Sequence, residues 1–170
     1  MHEMKNRVKE SGLISLDISS IMPDQQVIEI DLKEQLWKEL VLKEREYRSW
    51  IKTHCWEKYQ NKAVFIHCSS NAIIPSWAYL LILSSISNYS STCILGSKQQ
   101  LIRKLIRKKI DNIDLIQFEN KRIILKGCSN AVEKDFAFFE ISKVLIPVVK
   151  SLMYGEACSN VPIYKKRSIN

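Results

Sequence analysis

The feature that most constrains the fold of this chain is the alternation of strand and helix patterns from residue 63 onward. Short runs of β-branched and aromatic residues, which are typical of buried strands, alternate with longer amphipathic runs of helical period. In chain order, the strand patterns cover 63–67, 92–95 and 122–125, and the helical patterns cover 75–87, 98–110 and 134–153. This order is typical of parallel strands joined by right-handed crossovers. The sequence therefore predicts an α/β fold with a mostly parallel sheet flanked by helices.

The part of the chain before residue 63 is predicted to extend this sheet. Strand patterns occupy 13–16 and 27–32, and helical patterns occupy 32–40 and 43–52. We expect these N-terminal strands to add at an edge of the sheet. A chain of 170 residues can bury one apolar core, and no linker or repeat divides it. We therefore expect a single domain over 1–170, with a flexible basic C-terminal tail over 163–170.

The stretch from 63 to 97 contains no Asp, Glu, Lys or Arg, which raises the question of a membrane span. Its strongly apolar part, 77–83, is much shorter than the ~20 residues that a helix needs to cross a bilayer. The first residues carry acids and lack the apolar run of a secretory signal. We therefore expect a cytoplasmic protein with no membrane partner. The apolar helix over 77–83 leaves a homodimer interface open.

An excess of basic residues gives the chain a formal net charge of +8, from 26 Lys and Arg against 18 Asp and Glu. Much of the excess lies in 98–109, where a helix would place it opposite the apolar face. The basic face carries Arg103, Lys104, Arg107 and Lys108. No aromatic residue or nucleic-acid-binding motif accompanies it, so we expect no nucleic-acid partner. Two interpretations stay open: a solvated helix face, or a docking surface for an acidic protein partner.

The five cysteines of the chain are an odd number, which argues against a disulfide framework. Three of them are followed by serine: Cys68, Cys128 and Cys158. Cys68 and Cys128 come after predicted strands, and α/β proteins place their sites at the carboxyl ends of parallel strands. Cys158 follows the last predicted helix and is expected on the same side. Cys93, inside a strand, is predicted to be a core residue.

Three converging thiols would suit a metal, because thiolates bind zinc, iron and iron–sulfur clusters. A fourth ligand would complete a tetrahedral set, and the candidates are His54, His67, Asp135 and Glu156. We favour His54, because His67 precedes Cys68 on a strand, where neighbouring side chains point to opposite faces. The predicted metal ligands are therefore Cys68, Cys128, Cys158 and His54.

Two other interpretations of the cysteines stay open. They fit equally well as small hydrophobic residues that bind no metal. Cys68 is also a candidate nucleophile of a thiol-dependent enzyme, with His54 or His67 as the base. Because the chain has no glycine-rich phosphate loop and no serine-hydrolase motif, the sequence does not indicate whether a reaction is catalysed.

Several longer motifs of the chain resemble those of one family. They include Cys68-x-x-x-Ala72-Ile73-Ile74-Pro75-x-Trp77-Ala78-Tyr79, Lys126-Gly127-Cys128-Ser129, Pro147-Val148-Val149-Lys150-Ser151 and Met153-Tyr154-Gly155-Glu156-x-Cys158-Ser159. These motifs are similar to those of an uncharacterised domain-of-unknown-function family from Bacteroidetes, number 2480. The likeness covers nearly the whole chain.

The resemblance implies that the four predicted ligands occupy motif positions of that family, which favours a metal site with three cysteines and one histidine. It also implies a role accessory to iron–sulfur assembly, because family members tend to be encoded near components of that process. The chain departs from the family pattern at Cys55, where the family has an acid, and in its more basic helix over 98–109.

Overall fold

The computed structural model describes residues 12–127 and 132–167, which form two compact units. The central unit comprises 24–102, and the terminal unit comprises the described residues of 1–23 and 103–170. The elements, in chain order, are β1 (Leu13–Asp17), β2 (Val27–Asp31), α1 (Glu44–Thr53), β3 (Ala63–His67), α2 (Ser76–Ile86), β4 (Thr92–Leu95), α3 (Lys98–Asp111), β5 (Arg122–Lys126), α4 (Lys134–Leu145), β6 (Ser151–Glu156) and β7 (Ser159–Lys165). The single domain over 1–170 stays a prediction.

The central unit is built on a three-stranded parallel sheet with the order β2-β3-β4. β3 is the middle strand, and four of its five residues are buried because they are apolar on both faces. Val64 and Ile66 of β3 belong to one core cluster with Ala78 and Ile82 of α2. Tyr47 of α1 joins this cluster and donates its hydroxyl hydrogen to the Ala78 carbonyl oxygen at 2.7 Å. This hydrogen bond links α1 to α2.

The terminal unit contains a four-stranded sheet with the order β1-β5-β6-β7. β1, β5 and β6 are parallel, and β7 pairs with β6 in the antiparallel sense. Helix α4 connects β5 to β6 and buries Ala137, Ile141 and Leu145. The part of α3 in this unit buries Leu105 and Ile106, on the apolar face that the sequence predicts.

The prediction of an α/β fold with mostly parallel strands and flanking helices is confirmed. The strands divide between two sheets where one was expected, because β1 pairs with β5 and β2 pairs with β3. Both N-terminal strands lie at an edge, β1 in one sheet and β2 in the other. The alternation of patterns specifies strands and helices, but it does not specify which strands become neighbours.

The helical pattern over 134–153, in which Pro147 was expected to kink the helix or to start a second one, is wrong beyond Leu145. Pro147 cannot supply the N–H that a continuing helix needs, and the chain turns there before it forms the β6–β7 hairpin. Gly155 lies inside β6 with φ +119°, and a Cβ there would lie 2.6 Å from the Ser159 carbonyl oxygen, so only glycine fits. Residues 163–165, which were predicted to begin the tail, lie in β7.

The predicted helix over 32–40 is also wrong. Only Leu32–Gln35 form a helix, a short 3₁₀ turn that Asp31 caps by accepting a hydrogen bond from the Lys33 N–H at 2.9 Å. Trp37 then pairs with Val41 in an isolated bridge. Across the two described stretches, no helix is long and apolar enough to span a membrane.

Candidate functional site

The carboxyl ends of β2 and β3 bring polar side chains together at one edge of the central sheet. The Asp31 carboxylate accepts hydrogen bonds from the backbone N–H groups of Lys33 at 2.9 Å and Ser69 at 3.0 Å. Burial acts to raise the pKa of Asp31, but the hydrogen bonds from Ser69 and Lys33 outweigh burial and hold this pKa below its ordinary value of 3.8. Asp31 is therefore a charged group that ties the loop after β3 to the end of β2.

His67 and Glu29 form a hydrogen-bonded pair beside Asp31. The register of the sheet places His67 next to Asp31, and its Nε2 lies 2.6 Å from Oε1 of Glu29. The His67 ring also stacks on Phe65, with ring centroids 5.5 Å apart. This pair was not predicted from the sequence. A sequence signal that could have indicated it is the spacing of Glu29 and Asp31. Residues two apart in a strand share one face, so both carboxylates lie on the same face of β2.

Cys68 lies at the start of the loop after β3, as the sequence predicts. Its half-buried side chain packs against the central core, and its Sγ lies 3.2 Å from the Ser70 hydroxyl. The Ser70 Oγ also accepts a hydrogen bond from the Ala72 N–H at 3.3 Å. The thiol is therefore held inside a turn that its own loop forms.

His54 lies directly after α1, inside a cluster of aromatic rings. Its ring centroid is 4.8 Å from that of Trp50 and 4.6 Å from that of Trp56, and its Nε2 lies 2.9 Å from the Tyr59 hydroxyl. Burial, with a smaller contribution from Lys58, lowers the pKa of His54 below 6.5, and burial raises the pKa of Tyr59 to about 12. Near neutral pH the pair is therefore a neutral imidazole and a protonated phenol.

The two histidines that were candidate bases for Cys68 have other partners. His67 bonds to Glu29 and His54 bonds to Tyr59. Within the described part of the chain, the hydrogen-bond partner of the Cys68 thiol is Ser70 and not a histidine. The thiol-enzyme alternative therefore gains no support from this geometry.

The carboxyl ends of β5 and β6 lead to the two other cysteines of the predicted set. These strands are parallel neighbours in the terminal sheet, and they end at Lys126 and Glu156. Cys158 is exposed in the two-residue turn between β6 and β7. Cys128 lies outside the described residues, two positions after the end of β5. One edge of one sheet thus carries Cys158 and the end of the strand that precedes Cys128.

Gly127 fixes the path of the chain immediately before Cys128. A Cβ at this position would collide with the side chain of Ile18 and would lie 3.4 Å from Phe138. A larger residue at this position would force the buried Ile18 side chain to move. The end of β5 is closely packed up to the residue before the cysteine.

The four predicted metal ligands are distributed over the chain. Cys68 and His54 belong to the central unit, Cys158 belongs to the terminal unit, and Cys128 lies outside the described residues. Among residues 12–127 and 132–167, no three or more His, Cys, Asp or Glu side chains are grouped so that they could hold a metal ion. Cys93 packs against the central core, as predicted.

Two arginines of the predicted basic face form ion pairs within the terminal unit. The Nε atoms of Arg103 and Arg107 lie 2.6 Å and 3.0 Å from carboxylate oxygens of Glu133 and Glu140. Both guanidinium groups also lie 5.0 Å from the centre of the Phe136 ring. The other two residues of this face, Lys104 and Lys108, are exposed. The arginines therefore connect α3 to α4 and to the residue before it, and an acidic partner for this face stays a prediction.

Comparison with known proteins identifies the family of this chain. No curated protein matches the chain, and no solved structure matches it. A family model described as "Protein of unknown function (DUF2480)" matches residues 2–166. Because the match spans almost the whole sequence, the chain belongs to this family of proteins of unknown function, number 2480.

Proposed function

We propose that this protein binds a thiophilic metal, either zinc, iron or a small iron–sulfur cluster, through Cys128 and Cys158. The observation that carries the proposal is the pairing of β5 with β6, which are parallel neighbours that end at the same sheet edge. Neighbouring strands lie about 4.8 Å apart, so the ends of β5 and β6 are within the reach of one metal ion. Thiolates are the ligands that zinc and iron–sulfur clusters prefer.

Glu156 is the proposed oxygen ligand at the same edge. It is the last residue of β6, it is exposed, and Cys158 follows it by two positions. Two thiolates and one carboxylate leave at least one coordination position for an external ligand. A site of this kind suits a protein that accepts and passes on a metal or cluster. That activity would agree with the accessory role in iron–sulfur assembly that the sequence resemblance implies.

Cys68 and His54 complete the ligand set that the sequence predicts, and their role is a separate question for experiment. The neutral imidazole of His54 has the protonation state of a metal ligand, because burial lowers its pKa. The Cys68 thiol is half-buried beside Ser70. Substitution of each residue distinguishes a four-ligand site from a site made at the edge of the terminal sheet alone.

The test is the metal content of protein purified without oxygen and loaded with Zn²⁺, or with Fe²⁺ and sulfide. We expect about one equivalent of zinc or one cluster per chain, and less than about a tenth of an equivalent after Cys128→Ser or Cys158→Ser. Cys55→Ser is the matched control, since Cys55 is an exposed cysteine of the central unit. A visible absorption band distinguishes an iron–sulfur cluster from colourless zinc.

Two results of this test contradict the proposal. One is a wild-type protein that retains no metal after loading, and the other is metal content that Cys128→Ser and Cys158→Ser leave unchanged. Among variants that still fold, loss of metal from Cys68→Ser or His54→Gln supports the four-ligand set. Retention of metal by both of these variants restricts the site to the edge with Cys128 and Cys158.

A further inference from the structure

The outer face of α4 carries an exposed aromatic residue between two opposite charges. Phe139 is 66% exposed, although its neighbours Ala137 and Ile141 are fully buried. Asp135 lies four residues before Phe139 and Lys143 lies four residues after it, so all three side chains share one helix face. The two charged residues lie equally far from Phe139 along the helix, and their charges are opposite.

An apolar groove of the same unit lies beside this face. It has a volume of about 470 Å³, and its apolar lining residues include Phe138, Ile146, Tyr154 and Ile163. Tyr154 and Ile163, from β6 and β7, are 46% and 53% exposed. Tyr154 is oriented by Phe138, which meets it edge to face with ring centroids 5.0 Å apart. Contiguous apolar surface of this kind marks an interaction site.

We propose that the occupant of this surface is a second copy of the same chain, with the two α4 helices packed antiparallel about a two-fold axis at Phe139. In such a pair, residues equally far from the axis on either side meet each other. Phe139 therefore meets Phe139 of the second copy, and Asp135 meets Lys143 of the second copy. Asp135 and Lys143 are eight residues apart, about 12 Å along the helix, which places each pair about 6 Å from the axis.

The charges favour a second copy over an unrelated partner. Among the described residues, Asp135 takes part in no ion pair. Lys143 lies 3.5 Å from Glu140, but that carboxylate also binds Arg107 at the shorter distance of 3.0 Å. An acidic partner would place a like charge against Asp135, and a basic partner would place a like charge against Lys143. A second copy satisfies both charges, and it covers the apolar groove at the same time.

The test is the molar mass in solution, measured by light scattering and analytical ultracentrifugation from micromolar to millimolar concentration. We expect the wild type to reach twice the 19.8 kDa of one chain and Phe139→Ser to remain a monomer. We expect Asp135→Lys or Lys143→Asp alone to weaken the dimer about tenfold or more, since each opposes like charges twice. The double variant with both changes should recover the wild-type dissociation constant.

Control variants separate this interface from other apolar surfaces. Ile116→Ser removes another exposed apolar residue of the terminal unit and should leave the dimer intact. Leu80→Ser changes the outer face of α2, where the sequence left a homodimer interface open. A wild type that is monomeric throughout overturns the proposal. So does a dimer that Leu80→Ser disrupts and Phe139→Ser does not, or a double charge variant as weak as the single ones.

Discussion

At the scale of single residues, His54 makes stability depend on pH. Burial lowers the folded-state pKa of His54 below 6.5, so as pH falls through 6.5 the unfolded chain takes up the proton first. The free energy of unfolding is therefore highest above about pH 6.5, and it declines as the solution becomes more acidic. We expect the midpoint temperature of thermal unfolding to decrease as the pH is lowered from 7 to 5. The decrease should be less steep in His54→Gln, because glutamine cannot titrate. Calorimetry across this range measures both slopes.

The comparison of slopes is informative even when the substitution lowers stability at every pH. Gln can still hydrogen-bond to Tyr59, so the variant removes the titration and keeps a polar partner for the phenol. The midpoints of His54→Gln and wild type should approach each other as pH falls. Parallel curves would mean that His54 does not carry the dependence.

Some features of the candidate site were predictable from the sequence at the level of single residues, and others were not. The position of Cys68 at the end of a strand was predictable, because a short run of β-branched and aromatic residues directly precedes it. The aromatic surroundings of His54 were not predictable. The rings of Trp50 and Trp56 come together only when the chain turns after α1, and their packing depends on the tertiary structure.

At the scale of elements, a helix or strand is predictable where its local sequence pattern is strong. β3 and β4 were predicted with their observed bounds, because each is a short apolar run between polar residues. β6 was missed, because apolar spacing between 144 and 153 fits a helix as well as a strand. β6 is a strand because it pairs with β7 in the antiparallel sense, and this pairing forms only in the folded chain.

The link between α3 and α4 yields a prediction at this scale. Arg103→Gln with Arg107→Gln removes two partly exposed ion pairs and two contacts with Phe136, so we expect the free energy of unfolding to fall by about 1–2 kcal/mol. Lys104→Gln with Lys108→Gln removes the same charge from the same helix and should change it by less than about 0.5 kcal/mol. Chemical denaturation measures both values. Equal effects of the two double variants would contradict the structural role of the arginines.

At the scale of the whole molecule, sequence patterns predict the class of the fold better than its sheet topology. The α/β class and the parallel strands follow from the order of the elements, but the division into two sheets depends on which strands pair. β1 pairs with β5, more than 100 positions later in the chain, and no local pattern encodes that contact. The predicted site depends on the same pairings, because strand neighbours decide which loops meet.

X-ray absorption at the metal edge shows whether thiols from the sheet edge formed by β5 and β6 bind a metal. For protein loaded with zinc or iron, we predict at least two sulfur ligands at about 2.3 Å in the wild type and in Cys55→Ser, and loss of the metal signal in Cys128→Ser and in Cys158→Ser. A coordination sphere made only of nitrogen and oxygen ligands, or a metal signal that both substitutions leave unchanged, would show that these thiols do not bind the metal.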